Sequence, residues 1–147
     1  MTNTVELLKD LTQTTYDSVE GYRKAAEKVE SPTIKQAFSR RSGDRAQILN
    51  KMNDALQAKG EQPITAVSIE GSAHQTFLSI ANALTDSNEA AIERVEEGEE
   101  YLAEKFRDAL TDEDVELDPD TRTLIETAYR DVREGERFAD MLEEQYA

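Results

Sequence analysis

The chain has 147 residues, 37% hydrophobic and 33% charged, with 6 Gly, 3 Pro and no Cys. At roughly 150 residues per domain this reads as one domain over 1–147. So few turn formers exclude a small sandwich or barrel of many short strands, and the missing cysteines exclude disulfides, a thiol nucleophile and thiolate-bound zinc or iron–sulfur. With 17 Lys and Arg against 32 Asp and Glu the net charge is −15, which repels phosphate backbones and anionic headgroups; no nucleic acid and no membrane is an expected partner.

Thr4 is an N-cap for an amphipathic helix of about 25 residues whose apolar stripe runs Leu8, Leu11, Thr15, Val19, Tyr22, Ala26 and Val29. Ser31-Pro32 breaks it and starts a second helix, with Ser31 as cap, Pro32 at the first helical position and a stripe of Ile34, Phe38, Arg41, Arg45, Ile48, Met52 and Leu56. Lys59-Gly60 ends that helix. Residues 61–71, with Pro63 and near-alternating Ile64, Val67 and Ile69, are too short and isolated for a sheet and read as a crossover lying on the bundle. Ser72 caps a short helix with Phe77, Ile80, Ala81 and Leu84 inward, and Asp86 with Glu89 is a capping box for the third long helix. Its stripe is Ile92, Val95, Glu99, Leu102, Phe106 and Leu110. After an acidic loop, Asp118-Pro119 opens a last helix with the stripe Ile125, Tyr129, Val132, Glu136, Ala139, Leu142 and Tyr146.

Four such stripes predict an all-α four-helix bundle with a short extra helix in the helix 2–3 connection. Short 1–2 and 3–4 connections make antiparallel hairpins. The longer 2–3 connection allows helix 3 to run parallel to helix 2, as in ferritin-like topology, with a simple up-down-up-down bundle as the alternative. The N-terminus lacks a basic then apolar leader, and no apolar run approaches the ~18 residues of a membrane span, so a cytoplasmic location is the default.

Residues 33–51 carry a net charge of +4, leaving −19 for the rest. Neutralisation inside the bundle is the simpler reading; a phosphate-binding patch would come with a basic domain. Each stripe is interrupted near its middle by a polar residue: Thr15, Arg41 with Arg45, Glu99 and Glu136. Buried charges must be paired, so Arg45 is predicted to meet Glu99 and Glu136, with the Tyr22 and Tyr129 hydroxyls nearby. Gly21, Gly43, Gly98 and Gly135 fall one per helix near this level, either making room for the layer or as tolerated kinks. Val-x-Glu-Gly-Glu at 95–99 recurs at 132–136 as a weak repeat of the helix hairpin.

Bundle di-iron sites need two Glu-x-x-His motifs, and this chain has one His and none of them. Glu20, Glu99 and Glu136 are candidate ligands for a single divalent metal, opposed by Arg45 at the same level. No cofactor is expected. His74, without an acid partner or nucleophile at readable spacing, is a structural hydrogen-bonding group or, less simply, a general base. There is no phosphate loop and no nucleophile elbow.

Taken together, Leu8-x-x-Leu11, Asp17-x-x-x-Gly21-Tyr22, Ala25-Ala26, Arg45, Gly71-x-x-His74-x-x-Phe77, Glu96-x-Gly98-Glu99 and Tyr129 resemble a bacterial family of ferritin-like four-helix-bundle proteins, the domain of unknown function 2383. The resemblance spans nearly the whole chain. It implies a ferritin-like bundle with a polar interior centred on Asp17, Arg45, His74, Glu96 and Glu99, and no established activity. Relatives often carry a His where this chain has Glu136 and a Trp where it has Phe77.

The functional expectation is a non-enzymatic, cytoplasmic helical-bundle protein, with a stress association as its context, acting by protein-partner binding or as a homo-oligomer. The alternative is a ferritin-like carboxylate metal-binding protein. A third reading presents the basic face of helix 2 to an acidic partner, with salt-sensitive association.

Overall fold

Local chemistry at the chain breaks sets the helix boundaries. The computed structural model describes residues 4–71, 74–77 and 88–146. Helix α1 covers Thr4–Lys28, α2 Pro32–Ala58, α3 Asn88–Thr111 and α4 Pro119–Tyr146. Between α1 and α2, the Ser31 side chain accepts a hydrogen bond from the Ile34 amide, and Pro32 sits where its missing N–H costs nothing. Lys59 closes α2, and Gly60 turns the chain away at φ +82°. At the start of α4, the Asp118 carboxylate accepts from the Thr121 amide at 3.1 Å and from its hydroxyl at 2.8 Å. These Thr121 bonds, with Lys59 at 3.0 Å, hold the Asp118 carboxyl at about 2, below the usual range.

Helices α1 and α2 pack as one hairpin and α3 and α4 as the other; α1 lies against α3, and α2 against α4. Two apolar clusters fix the directions. One gathers the end of α1 (Tyr22, Ala25, Val29), the starts of α2 (Ile34, Phe38) and α3 (Ile92, Val95), and the end of α4 (Ala139, Leu142). The other gathers the opposite ends: Leu8 and Leu11, Met52 and Leu56, Leu102 and Phe106, Ile125 and Val132. Helices α2 and α3 therefore run parallel, joined by one long crossover, and the up-down-up-down alternative is excluded.

The stripes shift by one position in places. Leu49 and Ala109 are buried where Ile48 and Leu110 were expected, and Val19 is half-buried beside buried Ser18. In α4 the inward seam is Thr121, Ile125, Ala128, Val132, Gly135, Ala139 and Leu142, with Tyr129 and Glu136 on its flank. Ala128 and Gly135 are small, so their larger neighbours Tyr129 and Glu136 mask them in the sequence. Residues 74–77 are helical; Ser72, Ile80, Ala81, Leu84, Asp86 and the Tyr146 side chain lie outside what is described. Among the described residues no helix is long and apolar enough to cross a membrane.

Candidate functional site: a buried ion-pair layer and a crossover corner

Between the two apolar clusters lies a charged layer. Arg45 of α2, fully buried, donates to both oxygens of Glu99 of α3, with Nη2 to Oε2 at 2.8 Å and Nη1 to Oε1. Its Nε donates to Asp131 of α4 at 3.0 Å, and its Nη1 reaches Ser18 of α1 at 3.5 Å. Arg41 adds bonds to the Asp131 carbonyl at 2.9 Å and carboxylate at 3.2 Å. Burial works against the Arg45 charge, but Glu99 outweighs it, and the guanidinium stays ionised. The Arg45 guanidinium lies 5.4 Å from the centre of the Tyr22 ring. Burial, then the Glu99 charge, pushes the Tyr22 hydroxyl well above its usual value, and among the described residues none is placed to hydrogen-bond it. Thr15 is buried at the same height but bonds back to Leu11 of its own helix at 2.7 Å. Of the five cations in the basic run of α2, Arg41 and Arg45 are turned inward, Lys35 is half-buried, and Arg40 and Lys51 are exposed.

Glu136 does not join this layer. It is half-buried on the flank of α4, 3.4 Å from Arg133, and Asp131 takes the place expected for it. Tyr129 is also on the flank, its hydroxyl accepting from Arg107 at 3.3 Å and Arg133 at 3.4 Å. At Gly135 an added Cβ would overlap the Glu99 carboxylate and come within 2.7 Å of Arg45 Nη2. This glycine makes room for the bridge. Gly43 faces open space.

The proposed metal ligands do not converge. Arg45 occupies both oxygens of Glu99, Glu20 pairs with Arg23 at 2.7 Å, and Glu136 lies at the surface. Glu96 also lies outside the layer: its carboxylate comes within 4.8 Å of Asp140 and Glu143 of α4, a cluster that is half-buried at most. A hydrogen bond with Glu143, then burial, then Asp140 raise the Glu96 carboxyl to about 8. On an acidic exposed face, nothing in the sequence separates such a cluster from solvated carboxylates.

Asp17 and His74 define a separate corner, where the crossover crosses α1. Buried Asp17 accepts from the Ser68 amide at 2.9 Å, from the Ser68 hydroxyl and from Gln13 at 3.1 Å. His74 Nδ1 lies 2.8 Å from the Ser68 carbonyl, so it carries the proton and donates. Asp, Ser and His meet, but the hydroxyl donates to the carboxylate and the imidazole meets a main-chain oxygen. This is not a nucleophile–base relay.

Residues 3–112 match the family described as Domain of unknown function (DUF2383). The chain belongs to this family. No curated protein matches it.

Two measurements check this electrostatic picture. Gly135→Ala is expected to force the bridge apart and cost up to about 3–5 kcal/mol, the range for breaking a buried pair, while Gly43→Ala gains about 0.5–1 kcal/mol; urea denaturation compares them. For Glu96, the folded chain holds a proton between the ordinary carboxyl value and about 8 that the unfolded chain has released. Its contribution is therefore present at acid pH and lost as pH rises towards 8. Glu96→Gln is expected to raise the melting temperature at pH 8, with the gain vanishing near pH 4.

Proposed function

We propose that this is a non-enzymatic, cytoplasmic binding protein that works through a protein partner or a second copy of itself, with the crossover corner as its working surface. The observation that carries the reading is an inside-out arrangement of the crossover. Ser68 is drawn inward to Asp17 while its neighbours Val67 and Ile69 stay 45% and 86% exposed. Burial energetics alone would favour the reverse. A buried carboxylate thus holds two β-branched apolar side chains in water, as an anchor for a partner requires. The charge of −15 argues against phosphate-rich partners.

A second reading, a carboxylate protein that takes a divalent cation, is favoured by the Glu96, Asp140 and Glu143 oxygens. Repeating the Glu96→Gln melting comparison with added manganese tests it, since only the unaltered cluster would be stabilised.

A photo-activated cross-linking residue at position 69 is expected to give a discrete adduct in cells that is absent when the same residue stands at the exposed position 47. Equal labelling at both positions, or none at 69, would contradict the proposal.

A further inference from the structure

The crossover residues 61–70 are gripped by a row of side chains that read main chain rather than sequence. Asn53 takes both polar groups of Ile64, accepting from its amide at 2.8 Å and donating to its carbonyl at 3.0 Å. Tyr16 donates to the Thr65 carbonyl at 2.9 Å and Gln13 to the Ala66 carbonyl at 2.9 Å. Asp17 accepts the Ser68 amide and hydroxyl, and His74 donates to the Ser68 carbonyl. Gln13, Tyr16 and Asp17 are three and four residues apart on α1, so they share one helix face.

The segment so held is bounded by the described residues with positive φ, Gly60 at +82° and Gly71 at +95°. An added Cβ at either would meet nothing. Glycine at both ends leaves the backbone free to change direction there, and the apolar hold is light: Ile64 is half-buried against the core, whereas Val67 and Ile69 are exposed.

We infer that Gln13, Tyr16, Asp17, Asn53 and His74 form a binding row for a peptide segment held by its main chain, and that the crossover is its built-in occupant, displaced by a partner segment with a serine over Asp17. Amide and carbonyl contacts supply sequence-tolerant affinity, as main-chain hydrogen bonds do in peptide recognition. The Ser68 hydroxyl on Asp17 supplies the side-chain selection at the buried end, beside the Lys9–Glu61 ion pair at 3.0 Å and the half-buried Ile64 at the other. The tethered crossover competes at an effective concentration of about millimolar, which keeps the row closed to weak ligands. This inference rests on the partner-binding reading, but seats the partner on the row beneath the crossover instead of on Val67 and Ile69, and names its chemistry.

The test uses the full chain with Ile64→Gly, Ala66→Gly, Val67→Gly and Ser68→Gly, which loosens the built-in occupant. The probe is a fluorescent peptide with the sequence of residues 61–70. Saturable binding is expected, weakened about tenfold or more by adding Asp17→Asn or by a serine-to-alanine change in the peptide; the unaltered chain should bind far more weakly. No binding, or binding indifferent to Asp17, overturns the inference. If the loosened chain does not fold, hydrogen exchange on the otherwise unaltered chain decides: Asp17→Asn should speed exchange at the Ile64 and Ser68 amides together, and an unchanged Ile64 amide overturns the inference. Cross-linking at position 69 without peptide binding would keep the partner reading and remove the row, while the converse would keep the row and move the partner surface.

Discussion

The paired charges of Arg45 and Glu99 set the constraint on which the rest of the bundle depends. Removing both ions from water is costly, and only close bidentate contact with further hydrogen bonds offsets it. The neighbours serve that need: Asp131 takes the remaining guanidinium edge, Tyr22 lays its ring against the cation, and position 135 has no side chain. Arg45 and Glu99 belong to different hairpins, so the bridge locks the two hairpins at one height. An apolar seam alone tolerates sliding by a turn; a bridge fitted against a glycine does not.

The same saturation separates the layer from chemistry. Both Glu99 oxygens are committed to Arg45, and Asp131 is shared by Arg41 and Arg45. The layer keeps the Tyr22 hydroxyl and Arg41 Nε unpartnered among the described residues; further polar groups gather at the crossover corner around Asp17 and His74 and in the carboxylate cluster around Glu96. At the corner a buried carboxylate holds Ser68, and its neighbours Val67 and Ile69 face outward.

The parts of this arrangement legible in the sequence were those with strong local signals. Ser31-Pro32, Lys59-Gly60 and Asp118-Pro119 marked helix ends because caps and proline act within a few residues. Arg45 and Glu99 stood out because a charge on an apolar stripe needs a partner. Ser18 is hidden beside Val19, whose larger apolar side chain draws the stripe one position away, and Asp131 is hidden because it flanks Val132, a residue that does lie on the seam. In α4, Ala128 and Gly135 carried too little side chain to reveal the true seam, so Tyr129 and Glu136 were read inward. The Asp17–Ser68 contact joins positions 51 residues apart, beyond any helical period. Asp17 was singled out only by family resemblance, and its role as the hold on the crossover needed the fold.

The decisive measurement is urea denaturation of Arg45→Ala beside the double variant Arg45→Met, Glu99→Leu. If the layer is architecture, the single variant leaves Glu99 buried and uncompensated and loses about 3–5 kcal/mol, while the apolar pair keeps the fold at or above the original stability. A double variant as unstable as the single one would show that the charges do more than fill and align the middle of the bundle, and would contradict the reading.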